Sequence, residues 1–245
     1  MIFFSKRNLV PAVFLHIQKT AGTSLVRLVR RYYRWGLIKH GDYLKRSNEE
    51  LMKSSFVSGH FGYDLARPLI QSRYSFTFLR DPVERLLSFY FYCRNENARA
   101  YPIYRMAHEL DLENFLRQGF ESPLIRPYLY NQQAWALACG WGNKDNLGFD
   151  NIPEPKILGD AIHHLSEFSH VGFTESYDQD VDIIFSALNL PQPQKKKITN
   201  STKNRPSKQD ISKTALNLAK ELTRLDQELY ATAWAERWAD QQPPQ

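Results

Sequence analysis

The chain has 245 residues, 42% of them hydrophobic and 24% charged, with a formal net charge of +6. That balance excludes a disordered or fibrous protein and supplies a sizeable core, so one domain over residues 1–245 is expected. The positive charge favours anionic partners without choosing among nucleotides, acidic glycans, nucleic acid and lipid head groups. Two cysteines, Cys93 and Cys139, make neither a disulfide framework nor a zinc site on their own. Met1–Phe4 is too short for a signal peptide's apolar region, and no stretch reaches the roughly 18 apolar residues of a membrane span. A cytoplasmic protein with no membrane span is the expectation.

An apolar run, Ala12–Leu15, leads into His16-Ile17-Gln18-Lys19-Thr20-Ala21-Gly22-Thr23-Ser24, and an amphipathic segment follows to Tyr33. Strand, small polar turn and helix is the layout of a phosphate-binding loop. The first N–H groups of a helix lack intrahelical partners, and the helix dipole adds positive charge there. Gly22 permits close backbone approach; Thr20, Thr23 and Ser24 bring hydroxyls and Lys19 a full charge. The Lys precedes the only Gly by three residues, so this is not a Walker A loop. An ordinary strand–helix turn with a Ser or Thr cap is the competing reading.

The periodicity predicts a strand over Val10–Ile17 and a helix over Thr23–Trp35 that stops at Gly36. Leu25, Leu28, Val29 and Tyr32 would face the core, with Arg27, Arg30, Arg31 and Arg34 on the other side, either a solvated face or a surface for an anionic substrate. Ser47 and Glu50 form a capping-box pattern for a helix over Asn48–Met52. In Phe56–Tyr63 a strand end is followed by His60 between two glycines, read as a tight turn with His60 at its tip. Such strand ends carry sites in α/β folds, although a lone His is also commonly structural. Tyr74–Leu79 alternates and is aromatic-rich, a central strand. Asp81, Pro82 and Glu84 then start a helix running to Arg94, with Arg80 at the strand end and Ser88 two turns on, on the same side. The repeated strand–turn–helix layout argues for two separate anion sites; pairing of Arg80 with Asp81 or Glu84 is the alternative.

Further on, a helix over Leu110–Gln118 is expected to stop at Gly119, with helical character over Gln132–Ala138 and a loop over Gly140–Asp150. A helix over Pro155–Ser166, a strand over Ser169–Phe173 and a helix over Tyr177–Leu190 follow. Residues 191–208 are basic and breaker-rich, a mobile linker or a lid over a polyanion, and residues 210–238 are helical. His163, His164 and His170 lack metal-ligand spacing, so no metal is expected.

Five blocks in order, His16–Leu25, Ser58–Leu65, Thr77–Tyr90, Val171–Val181 and Ile198–Pro206, resemble the sulfotransferase family that includes the heparan sulfate 2-O- and 6-O-sulfotransferases and many bacterial relatives. The resemblance spans Val10 to Tyr230. It implies a P-loop-like three-layer α/β fold with a central parallel sheet flanked by helices. It also implies transfer of the sulfuryl group of 3′-phosphoadenosine 5′-phosphosulfate (PAPS) to a hydroxyl, commonly on a sugar, without a metal. Carried over residue by residue, Lys19, Thr20, Ala21, Gly22, Thr23 and Ser24 would hold the 5′-phosphosulfate and Arg80 and Ser88 the 3′-phosphate. Lys203 and Arg205 would belong to a closing lid, His60 would be the catalytic base, and Lys19 would stabilise developing charge.

One departure stands out: many relatives carry an Arg where Trp135 aligns, which points to a different acceptor. Trp35, Tyr63, Tyr92 and Trp135 are either sugar-stacking surface or core. Without the membrane anchor of the animal Golgi enzymes, a bacterial enzyme acting on a soluble or lipid-linked carbohydrate or glycolipid, possibly anionic, is expected. Two other readings stand beside it: a P-loop kinase using ATP, disfavoured by the missing Walker Lys and Mg²⁺ carboxylate, and a non-catalytic polyanion-binding relative. Nucleic acid is not an expected partner, because the aromatics do not interleave with a basic stripe.

Overall fold

The computed structural model describes residues 9–34, 36–39, 41–140, 152–196, 206 and 208–239. The chain begins with β1 (Ala12–Leu15), α1 (Gly22–Val29), β2 (Leu37–Ile38), α2 (Asn48–Lys53), β3 (Phe56–Gly59), α3 (Tyr63–Ile70) and β4 (Tyr74–Leu79). A helical stretch follows: α4 (Pro82–Asn95), α5 (Pro102–Glu109), α6 (Leu112–Glu121), α7 (Arg126–Leu129), α8 (Gln132–Ala138) and α9 (Glu154–Leu165). The described elements close with β5 (His170–Phe173), α10 (Tyr177–Ala187), α11 (Lys213–Leu222) and α12 (Arg224–Ala239). The five strands of the described residues are all parallel, in the order β2-β3-β1-β4-β5.

A parallel sheet needs crossovers, and helices on both faces leave its strands wholly apolar. Hence Ala12, Val13, Phe14 and Leu15 are all fully buried. Val13, Leu15, Val57, Leu79 and Phe173 point into a core shared with α3, α8, α9 and α12. Ala12, Phe14, Phe56, Phe76 and Phe78 point the other way, against Leu25, Val29, Val181 and Ile184 of α1 and α10. These are the three layers of the expected α/β fold. A third core, built on Leu86, Leu87, Phe115, Leu116, Leu129 and Leu222, joins α4, α5, α6, α7 and α11 beside the sheet.

Local chemistry set several boundaries as the sequence predicts. Ser47 and Glu50 form the full capping box of α2, and the Asp81 carboxylate accepts from Glu84 N at 2.8 Å to start α4. Arg27, Arg30, Arg31 and Arg34 are all exposed. Other boundaries move. Gly119 lies inside α6, because a Cβ there would come within 2.8 Å of Leu222 and 3.1 Å of Leu129; close helix packing, not helix termination, explains the glycine. α1 ends at Val29, and turns carry the chain on through Arg34, with buried Tyr33 donating to the Val10 carbonyl at 2.7 Å. The closing helical stretch is two helices, broken at Thr223. Among the described residues no helix is long and apolar enough to cross a membrane.

Candidate active site

The sheet register gathers the site. Leu15 lies level with Gly59 on one side and with Thr77 on the other. The turn after β1, His60 after β3 and Arg80 after β4 therefore leave the same carboxyl edge as neighbours. The chain passes from one side of β1 to the other here, and α/β sheets bind ligands at such a switch point.

The turn after β1 is shaped by two non-glycine residues in the left-handed region, Lys19 at φ 71° and Ala21 at φ 63°. Such backbone is costly for L-residues and persists where its surroundings enforce it. Here Thr20, fully buried, donates its hydroxyl to the Ile17 carbonyl at 2.9 Å and closes the turn on itself. Ala21 is the N-cap of α1, which has neither a side-chain cap nor an acidic residue in its first turn. By contrast Ser47, Asp81, Asp111 and Ser212 cap α2, α4, α6 and α11. The turn is therefore not an ordinary Ser- or Thr-capped one, and no side chain caps the first N–H groups of α1. Ser24 is buried beside Tyr177, and Thr23 is half-buried.

Lys19 carries the charge of this turn. Burial, and next the nearby Arg80, hold its ammonium down to a pKa of about 8. Its Nζ lies 3.9 Å from the centre of the Tyr92 ring, a cation–π contact. Arg80 Nη1 donates to the Lys19 carbonyl at 3.1 Å, so the two turns adjoin. Arg80 Nη2 also stands 3.7 Å from Glu84. Its backbone is gripped twice by Gln133, whose Oε1 accepts from Arg80 N and whose Nε2 donates to Arg80 O, both at 3.0 Å.

His60 is half-buried, and its Nδ1 lies 2.7 Å from the His16 carbonyl. A carbonyl only accepts, so Nδ1 carries the hydrogen and Nε2 of the neutral ring holds the lone pair. The rings of His16 and His60 are 4.5 Å apart, and His16 stacks on Phe14 at 5.1 Å. Gly22 lies under His16: a Cβ there would fall 2.2 Å from the ring's Cδ2 and Nε2. The glycines beside His60 do not make a tight turn. Gly59 ends β3, and Gly62 starts α3 with ordinary extended φ, where a Cβ would come 2.1 Å from the Cys139 carbonyl.

Behind the site, Asp226 of α12 accepts from Gln133 N at 3.2 Å and Ala134 N at 2.7 Å, capping α8. Asn131 in turn accepts from Leu225 N at 2.8 Å, so α8 and α12 cap each other. Asp226 is fully buried and interacts electrostatically with Arg85, also fully buried, whose Nη2 donates to the Tyr128 carbonyl at 3.1 Å. Burial pushes the Asp226 carboxyl up to about 6, and the Arg85 charge opposes that rise.

Of the other predicted residues, Ser88 is buried in α4, and Tyr63 and Trp135 are core, each only 2% exposed, so neither offers a stacking face. Trp35 and residues 141–151 and 197–205, with Lys203 and Arg205 among them, fall outside the described residues. Sequence reasoning did not assign roles to His16, Gln133, Arg85 and Asp226, and left Tyr92 between stacking surface and core. Among the described residues no group of three or more His, Cys, Asp or Glu is arranged to hold a metal.

Comparison with solved structures returns mouse sulfotransferase SULT7A1 complexed with PAP, at 12% identity and a TM-score of 0.41, over 87% of this chain and 74% of that one. A sequence comparison with curated proteins gives no match. The model of the Sulfotransferase family matches residues 2–231, nearly the whole length, and the chain belongs to that family.

Proposed function

We propose that this chain transfers the sulfuryl group of PAPS to a hydroxyl of a carbohydrate or glycolipid acceptor, with His60 as general base. Family membership supports sulfuryl transfer, and one observation carries the finer reading. The His60 ring is fixed by its Nδ1 bond to the His16 carbonyl, with Nε2 as acceptor, on the sheet edge that also presents Lys19 and Arg80. A base, two cations and an uncapped helix N-terminus are the donor set that transfer from an anionic donor to a hydroxyl requires.

PAPS, when bound, supplies an activated sulfuryl group on a phosphate leaving group. The residues present suit such a polyanion. The turn Lys19–Ser24 and the first N–H groups of α1 would hold its 5′ end, and Arg80 with Ser88 its 3′-phosphate. Lys203 and Arg205 would close over it. Lys19 sets a positive charge where negative charge develops. Nε2 of His60 takes the acceptor hydroxyl's proton as that oxygen becomes the nucleophile, and the His16 carbonyl stabilises the imidazolium through Nδ1–H. None of these roles needs a metal.

Thermal unfolding with 3′-phosphoadenosine 5′-phosphate (PAP), ADP or ATP–Mg²⁺ tests the donor. A ligand at 100 times its Kd stabilises the folded state by about 2.7 kcal/mol, a shift of several degrees. A shift with PAP alone is expected. A shift only with ATP–Mg²⁺ would make the chain a kinase, and no shift with any of them would make it a non-catalytic relative. Transfer of radiolabelled sulfate from PAPS to a panel of neutral and acidic glycans then tests the acceptor class.

A further inference from the structure

The Lys19 ammonium is in an unfavourable place for a charge. It is taken out of water, Arg80 lies beside it, and Arg85 adds a weaker repulsion. Glu96, at the C-terminus of α4, is the carboxylate that faces it; the Cys93 thiol beside it is pushed up to about 12 by burial and stays neutral. The direct contact it makes is with Tyr92, on the third turn of α4, whose ring centre is 3.9 Å from Nζ. That ring is itself held in place. Tyr104 of α5 meets it edge-on at 6.0 Å and 87°, and Tyr101 braces Tyr104 at 5.2 Å and 82°. Burial, and then hydrogen bonding to Tyr104, keep the Tyr92 phenol neutral well above its ordinary range, so the ring presents an uncharged, electron-rich face.

We propose that Tyr92 is a positioning residue whose ring face holds Lys19 as an ammonium at the mouth of the turn after β1. This rests on the reading of Lys19 as the cation that meets the sulfuryl donor. A cation–π contact favours only the charged amine, so the ring opposes desolvation and Arg80. It also covers one side of the ammonium and leaves the other side to an anion. A left-handed Lys19 backbone fixes where the side chain starts, and Tyr92 fixes where it ends. The α4–α5 pair, outside the sheet, thereby sets the position of a charge that belongs to the sheet's edge.

Titration of Lys19 by carbon-13 NMR of labelled lysine side chains, in wild type, Tyr92→Phe, Tyr92→Trp and Tyr92→Leu, tests this without any ligand. Tyr92→Phe and Tyr92→Trp keep a π face, and their Lys19 midpoint should stay at or above that of wild type. Tyr92→Leu should lower it by about half a pH unit, the equivalent of one cation–π contact. PAP affinity at pH 8, by calorimetry, should fall about threefold in Tyr92→Leu, and the same change should have no further effect in a Lys19→Met background. An unmoved midpoint in Tyr92→Leu would overturn the inference, as would an equal fall in Tyr92→Phe. If the midpoint moves as expected but wild type does not bind PAP, the ring–ammonium assignment stands and the PAPS reading fails.

Discussion

The Arg80 guanidinium donates to the Lys19 main-chain carbonyl across 3.1 Å, joining two turns whose residues are separated by 61 positions in the chain. The bond orients Arg80 and ties down the left-handed backbone of Lys19, so charge and loop geometry are coupled. Arg80→Lys keeps the charge but not the planar fork that reaches the carbonyl and Glu84 together. We expect PAP affinity about tenfold weaker in Arg80→Lys, the loss of one charge-assisted hydrogen bond, and weaker still in Arg80→Ala. Calorimetric titration checks both.

With His60 as the proposed base, its removal should separate chemistry from binding. His60→Ala and His60→Gln should lower transfer by about 10²-fold or more, while PAP affinity stays within about threefold of wild type, since the imidazole serves the acceptor side. Steady-state transfer rates set against PAP titrations decide. Wild-type turnover in either variant would remove the role assigned to His60.

Lys19 gives the site a pH dependence with a definite sign. Its folded pKa of about 8 lies below the ordinary 10.5, so between those values the unfolded chain holds a proton that the folded chain has released. Its contribution to stability is therefore full above 10.5 and lost as pH falls through 8. Anion binding runs the other way, because it needs the ammonium. PAP affinity should hold up to pH 8 and weaken above it, by up to about tenfold per unit if one proton is linked. Lys19→Arg should flatten that limb of the profile. Calorimetry from pH 6.5 to 9.5 in buffers of differing ionisation enthalpy reads both the affinity and the proton taken up.

Gly22 leaves no room for a side chain: a Cβ there would fall 2.2 Å from the His16 ring. That ring is itself confined between Phe14 and His60. Gly22→Ala must displace that ring, at about 1–3 kcal/mol by the usual cost of overpacking, and it disturbs the carbonyl that orients His60. Loss of transfer activity by tenfold or more, together with a lowered urea midpoint, is expected. An unchanged midpoint would show that His16 yields freely.

Asp226 should be a stability position rather than a chemical one. It caps α8 through two amide donors and is the acidic neighbour of buried Arg85. Asp226→Asn leaves one side-chain oxygen for two amide donors and removes the negative charge near Arg85, and a buried donor left unsatisfied costs about 1–3 kcal/mol. Urea unfolding should show the loss with an unchanged m value, and saturating PAP should recover part of it.

Much of the sheet edge was legible because strand ends announce themselves chemically. Ala12–Leu15 is an apolar run, Tyr74–Leu79 an aromatic-rich alternating one that meets Arg80, and Asp81-Pro82-Val83-Glu84 is a helix start in any context. The adjacency of the two turns was not legible, since it depends on β4 pairing with β1 on the side opposite β3, a long-range choice. Gly119 misled because a helix packed closely against a neighbour and a helix that stops both call for glycine. Gln133 was hidden for a related reason: its two bonds to Arg80 bridge 53 positions, and within Gln132–Ala138 nothing separates it from a solvent-facing residue. Trp135, which suggested a different acceptor, is a core side chain of that helix.

The mutual capping of α8 and α12 makes the site depend on a helix made well after its strands. A nascent chain that has emerged only through β5 already contains all five strands, both turns, His60 and Gln133. It still lacks Asp226, so the amides that open α8 have no acceptor and the glutamine that grips Arg80 stands on an unanchored helix. Anchoring of α8 thus waits for α12. A ribosome-tethered chain stalled before residue 224 would carry every charge of the site and yet present them unassembled.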